Sequence, residues 1–271
     1  MSLRIQNNLE AFNAHRQLTA TAGQQAKAME KLSSGYRINR ASDDAAGLAI
    51  SQKLSAQVSG LDQAQRNAQD AISLVQTGEG ALAEVHSMLQ RVRDLAVQYN
   101  NGTLSSSDKT AITDEVGQLC AEVSRIGSDT KFNGIALLTG SSSITFQVGA
   151  DDAQTISVSQ TALFGSGSSY KVDSAVFSFS GTISLSSIDE AINNVSSARS
   201  TFGSVQNRLE HTINNLSTLA ENTQAAESRI KDVDMAKEMV NFTKLNILQQ
   251  AGTSMLAQAN QSSQGVLSLL R

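Results

Sequence analysis

Apolar positions recur along this 271-residue chain at alternating steps of three and four. From Leu61 the series runs Leu61, Ala64, Ala68, Ala71, Val75, Gly78, Leu82, Val85, Leu89, Val92, Ala96 and Tyr99, every position apolar or Gly. A stripe kept over more than five heptads marks a helix packed along its whole length against other helices. Asp43 and Asp44 precede it, where carboxylates suit the positive end of a helix and act as caps. Asn100-Asn101-Gly102 follows it with turn-forming residues, so the spacing predicts a helix from about residue 44 to 100. At 1.5 Å per residue that helix is roughly 80 Å long. A compact globule of this chain length would be only roughly 50 Å across. The expectation is a rod, unless Gly60 or the Gly78/Gly80 pair breaks the helix. Each Gly costs about 1 kcal/mol relative to Ala there.

A shorter helix is predicted at about 105–128, with Ile112, Val116, Leu119, Val123 and Ile126 on one face. In the second half, Ser187 and Glu190 have capping-box spacing. Val195, Ala198, Phe202, Val205, Leu209, Thr212, Leu216, Leu219, Thr223, Ala226, Ile230 and Val233 then keep the three-four step. The last stretch offers Leu245, Leu248, Gly252, Met255, Ala259, Ser262, Val266 and Leu269. Between the halves the period becomes alternating. Ile144–Val148 and Thr155–Val158 read as a β-hairpin, and Phe177, Phe179, Ile183 and Leu185, split around Ser180-Gly181, as a second. Residues 139–187 are rich in Ser and Gly, which marks a surface excursion. The fold class predicted is mainly α: a long antiparallel helical rod or coiled coil with a small β-hairpin insertion.

The two ends have unfinished seams. Leu18, Ala22, Met29 and Leu32 form a sparse stripe after Ile5, Leu9 and Phe12, and Gly252 and Ser262 dilute the C-terminal one. Helices short of tertiary partners are marginal in water, since ordering costs about 1–2 kcal/mol per residue. Both ends are therefore expected to be loose alone and to order by pairing with each other and with neighbouring copies. The residues expected to carry this self-assembly are Ile5, Leu9, Phe12, Leu18, Leu32, Leu245, Leu248, Met255, Ala259, Val266, Leu269 and Leu270. Periodicity alone fits an ordinary intramolecular bundle equally well.

Composition narrows the function classes. With no Pro, no Trp and 4% aromatics, the chain lacks the bulky anchors of a pocketed enzyme. Its 21 Lys+Arg against 25 Asp+Glu supply no basic patch for nucleic acid. Cys120 is the sole cysteine, which excludes an internal disulfide and reads as a small buried hydrophobe. No stretch approaches the roughly 20 apolar residues of a membrane span. The start lacks the apolar run of a signal peptide, so composition by itself points to the cytosol. His15, His86 and His211 stand far apart on helices, and Gly78-Glu79-Gly80 follows no strand, unlike a dinucleotide loop. No catalytic residue, metal or cofactor is expected. Asn194 and Asn215 fit the N-glycosylation pattern but fall inside predicted helices, whereas Ser and Thr in 139–187 are candidates for O-linked sugars.

Several strings are more specific. Residues 32–50, LSSGYRINRASDDAAGLAI, closely resemble the N-terminal motif of bacterial flagellins, and Thr130–Leu138 is similar to the family's phenylalanine-asparagine-glycine segment. Gln206–Leu209, Ile213–Leu216, Ser228–Asp234, Leu256–Gln261 and Val266–Arg271 resemble the C-terminal half in the family's order. The resemblance implies a non-enzymatic subunit that polymerises into the flagellar filament used for swimming. It further implies export unfolded through the flagellar type III channel without a cleavable signal, which replaces the cytosolic expectation with an extracellular one. The partners implied are further copies of the chain, the flagellar cap protein, the hook–filament junction protein and an export chaperone.

On the family's pattern, residues 1–42 and 233–271 become inner coiled-coil segments. Residues 43–140 and 187–232 become the two halves of a helical rod domain, and 141–186 a variable surface region without a separate outer domain. Ser262-Ser263 stands where many relatives carry Pro, so the last helix is expected to be more continuous. Removing Val266–Arg271 is expected to abolish polymerisation. Leu89–Gln98 resembles the segment that engages the vertebrate Toll-like receptor for flagellin, which implies contacts from Arg91, Leu95 and Glu115. Asp94 stands where relatives usually have Glu; the residues alone make Arg91 a solvated or subunit-contacting charge. A hook–filament junction protein shares the termini, but the Asp43–Ile50 string and the leucine-rich end favour flagellin. A flagellum-attached enzyme would need a catalytic constellation, such as an H-E-x-x-H zinc motif, that the sequence does not contain.

Overall fold

The computed structural model describes residues 8–140, 142–159, 163–164, 172 and 184–269, with backbone alone for 262–269. The elements are α1 (Leu9–Ser34), α2 (Ala45–Tyr99), α3 (Ser106–Asp129), β1 (Lys131–Phe132), β2 (Ile135–Ala136), β3 (Ser143–Gln147), β4 (Thr155–Ser159), α4 (Leu185–Lys231) and α5 (Met235–Leu269). The fold is mainly α, as the periodicity predicts, with two small antiparallel hairpins, β1–β2 and β3–β4. Two compact units divide the chain: residues 1–56 with 222–271, and residues 57–221.

Helix α2 runs its 55 residues without a break at Gly60, Gly78 or Gly80. A Cβ on Gly78 would lie 2.8 Å from Phe202 Cε2, and one on Gly60 3.0 Å from Ala150 Cβ. These two glycines are places of close approach, and the packing they admit offsets the roughly 1 kcal/mol helix penalty of each. Asp44 caps the helix: its Oδ1 accepts the Gly47 N–H at 2.9 Å and its carbonyl the Leu48 N–H at 3.0 Å. Asp43 instead closes the preceding turn, accepting the N–H groups of Arg40 at 3.1 Å and Asn39 at 3.3 Å. Those two backbone bonds hold its carboxyl below the usual range.

In the 57–221 unit the α2 seam is closed from Leu61 to Ala96, every apolar member at most 2% exposed. Leu74 and Leu95, one position before seam residues, are buried too and widen the inward face. They share one core with Ile112, Val116 and Val123 of α3 and Val195, Phe202 and Leu209 of α4. Cys120 lies in the same core, where burial pushes its thiol up to about 11 and keeps it protonated and inert.

Helix α3 begins with a reciprocal cap. Ser105 Oγ accepts the Asp108 N–H at 3.3 Å while Asp108 Oδ2 accepts the Ser105 N–H at 3.0 Å. Helix α4, in contrast, does not start at the predicted Ser187 box. It begins three residues earlier, at Leu185, and Ser187 Oγ donates to the Ser184 carbonyl at 2.7 Å. A serine inside the first turn bonds backward to a carbonyl and caps nothing.

The predicted hairpin is β3–β4, in register Ile144↔Val158 and Phe146↔Ile156. Ile156 and Val158 face the core, and Asn67 Nδ2 of α2 donates to the Gln147 carbonyl at 3.0 Å. The hairpin β1–β2 turns on Asn133 and Gly134, whose φ values of 49° and 80° are those of a tight primed turn. Most of the predicted second hairpin, including Phe177, Phe179 and Ile183, lies outside the described residues, and Leu185 is the first residue of α4.

Candidate assembly surface on the terminal helices

In the other unit, α1 and α5 lie antiparallel. Asn8, the N-cap of α1, accepts the Ala11 N–H on Oδ1 and donates from Nδ2 to the Ala259 carbonyl at 2.9 Å. The far end is pinned by the two linkers, 35–44 and 232–234. Gly35, at φ 75°, ends α1 in the left-handed conformation that favours glycine. Its carbonyl accepts the Val233 N–H at 3.0 Å, Arg37 N–H donates to the Lys231 carbonyl at 2.6 Å, and Tyr36 bridges Asp232. Lys231 Nζ sits 4.4 Å from the centre of the Tyr36 ring, a cation–π contact. The linker also returns to α1, where Arg40 Nε meets Glu30 at 2.9 Å.

These contacts fix which sides of α1 and α5 meet. Leu18 and Leu32 are half-buried, a Cβ on Gly252 would lie 3.0 Å from Leu18 Cδ1, and Ala259 is half-buried beside Asn8. Leu245 is 5% exposed. Leu9 and Phe12 are turned away, Phe12 standing roughly 160° around the helix from the buried Ala28. Leu248 and Met255 are also exposed, and Met255 lines a shallow groove of about 390 Å³ with Glu10, Asn13, Ala14, Gln258 and Ala259.

Helix α5 carries large apolar side chains on every side, interspersed with Lys237, Glu238, Asn241 and Lys244. At 100° per residue, Met235, Met239, Val240, Leu245, Ile247, Leu248 and Met255 leave no sector wider than about 80° free of a large apolar side chain. Of these only Leu245 is buried, while Val240 is 71% and Ile247 61% exposed. Large apolar side chains left exposed on several sides of one helix mark a surface that packs against other chains. Val240 and Ile247 carry this signal with Leu248 and Met255, yet the three-four step that finds one seam passes over them.

Of the twelve residues expected to carry self-assembly, then, Leu18, Leu32, Leu245 and Ala259 lie on the inward side of the pair. Leu9, Phe12, Leu248 and Met255 are presented outward. Ile5 and Leu270 lie outside the described residues, as do the side chains of Val266 and Leu269.

The residues singled out for receptor contact divide. Arg91 Nη2 and Nε reach Glu115 Oε1 at 2.7 and 3.0 Å in an exposed ion pair. Leu95 is 3% exposed and belongs to the core, so it offers no surface contact. Its place beside Ala96 widened the seam inward. Two residues further along α2, Arg93 Nε donates to Asp189 Oδ1 at 2.7 Å, which favours the protonated guanidinium.

Among the described residues there is no group of three or more His, Cys, Asp or Glu side chains placed to hold a metal. No described helix is long and apolar enough to cross a membrane.

The sequence pattern of the bacterial flagellin N-terminal helical region matches residues 5–143, and that of the C-terminal helical region matches residues 185–270. The chain is 53% identical to a flagellin of Halalkalibacterium halodurans, over 98% of this chain and 99% of the relative. It is 47% identical to a flagellin of Bacillus subtilis, covering 99% and 100% of the two chains. It is 46% identical to a flagellar filament 31.3 kDa core protein of Treponema maltophilum, covering 98% and 99%. A solved structure described as a flagellar hook-associated protein of Vibrio parahaemolyticus superposes with a TM-score of 0.61 over 70% of this chain and all of that one. At 19% identity that likeness speaks for the fold alone. Two matched regions that together span nearly the whole chain, and relatives matched end to end, place it plainly: the chain belongs to the bacterial flagellin family.

Proposed function

We propose that this chain is a non-catalytic structural subunit, copies of which polymerise into the extracellular flagellar filament. The names of its relatives support the filament. The observation that carries the assembly mechanism is α5, which has large apolar side chains on every side and, among the described residues, packs along its length against α1. Burying one exposed Val or Ile side chain contributes about 1.5–3 kcal/mol. Val240, Ile247, Met255 and Phe12 therefore supply a driving force that appears only when other copies cover them. On this reading the segments 1–42 and 233–271 become the inner coiled coil, and 43–140 with 187–232 the surrounding helical rod domain. Export unfolded, and the cap, junction and chaperone partners, belong to the same proposal.

Elongation of short filament seeds by purified protein, followed by electron microscopy, tests the reading. Ile247→Asp should leave the melting temperature of the monomer nearly unchanged and stop elongation. Normal filaments from this variant would overturn the assembly role of α5. The exposed Arg91–Glu115 pair favours a second role, contact with the Toll-like receptor for flagellin through those two side chains. A receptor reporter response to the monomer that Arg91→Ala does not lower would remove it.

A further inference from the structure

Four of the six methionines, Met29, Met235, Met239 and Met255, are exposed, by 52%, 47%, 50% and 65%, and all four sit on α1 or α5. Met88 of the 57–221 unit is half-buried against its core, and Met1 lies outside the described residues. The antiparallel register groups three of them. Tyr36 opposite Asp232 at one end and Asn8 opposite Ala259 at the other bring Met29 level with Met239, one turn from Met235. The fourth, Met255, forms a wall of the groove between the two helices. Thioethers are thus concentrated on the faces that the proposed filament would cover and are sparse elsewhere.

We propose that these methionines are an oxidant-sensitive modification site that controls assembly of the free subunit. The proposal rests on the assembly reading above. A peroxide transfers its terminal oxygen to the methionine sulfur: the S–O bond forms, the O–O bond breaks, and water leaves. Sulfur loses two electrons and the peroxide gains them. The product is a polar, chiral sulfoxide in place of a flexible apolar group. It remains solvated on the monomer, so the fold tolerates it. Packed against another copy, its oxygen would lose water without gaining a donor, which opposes assembly. Once covered in a filament, the same sulfurs are shielded. The unassembled subunit is therefore the vulnerable form, and sulfoxide reductases can restore it.

The test treats the native monomer with hydrogen peroxide, maps sulfoxides by peptide mass spectrometry, and measures elongation from seeds. Met29, Met235, Met239 and Met255 should oxidise several-fold faster than Met88. The treated protein should keep its circular dichroism and lose most of its elongation rate, and methionine sulfoxide reductases A and B together should return it. In the variant carrying Met29→Leu, Met235→Leu and Met239→Leu, peroxide should lower elongation far less, relative to that variant's own untreated rate, than it lowers wild type, and an equal fractional loss overturns the proposal. Fully oxidised wild type that elongates at its original rate, or reductase treatment that restores the thioethers without elongation, overturns the proposal. Untreated wild type that fails to elongate at all would instead count against the assembly reading itself.

Discussion

Helix α2 between Leu61 and Ala96 and helix α5 between Met235 and Met255 are both rich in apolar side chains, yet those side chains end in opposite surroundings. On α2 they fall on one face, and α3, α4 and the β3–β4 hairpin cover it, so the 57–221 unit has a finished core. On α5 they point in every direction, and one antiparallel helix covers a single side. Apolar content and apolar placement are therefore separate properties of a helix. A one-sided stripe can be satisfied within a chain. Large apolar side chains on every side of a helix ask for more neighbours than the described residues of this chain supply, which leaves them for other copies to cover.

The buried seam of α2 is the most sensitive to substitution. Leu89→Ala leaves a cavity in a closed core and should destabilise the monomer by about 2–5 kcal/mol, read by denaturant unfolding. Gly78→Ala sets a methyl against the Phe202 ring. Overpacking of about 1–3 kcal/mol should outweigh the roughly 1 kcal/mol gain in helix propensity, and adding Phe202→Leu should recover the loss. Ser105→Ala should cost about 1 kcal/mol through the lost cap of α3. It should also flatten the acid side of the stability profile. Ser105 holds the Asp108 carboxyl below its usual range, so that contribution is present above the ordinary Asp value and is lost as pH falls through the lowered one. Phe12→Ala on the open pair should change monomer stability by less than about 0.5 kcal/mol while slowing seeded elongation. A Phe12→Ala monomer as destabilised as Leu89→Ala would erase the contrast between the two units.

The seam from Leu61 to Tyr99 was legible in the sequence because a strict period of three and four names a face without knowing its partner. The same rule missed Leu74 and Leu95, which lie one residue off the stripe and are buried because the inward face of α2 is wider than the stripe. That miss turned Leu95 from a surface contact into a core residue. The start of α4 was misplaced because Ser184, Ser186 and Ser187 all present capping chemistry, and spacing to Glu190 selected the wrong one. The β1–β2 hairpin had a readable signal, Asn133-Gly134 between apolar residues, as did the cap at Ser105 and Asp108. On α5 the period found Leu245, Leu248 and Met255 but passed over Val240 and Ile247. A search for one stripe has no place for residues off it.

The notch at Gly78 has a mechanical consequence. Seams of Ala, Val and Leu are nearly self-similar, so two such helices could slide one turn, about 5.4 Å, and still find oily neighbours. Phe202 removes that freedom. One turn either way its ring would strike Val75 or Leu82 in place of a missing side chain, so a single aromatic acts as a detent. It gives an otherwise repetitive ladder one setting along its axis, as a many-copy polymer requires if each copy is to have identical dimensions.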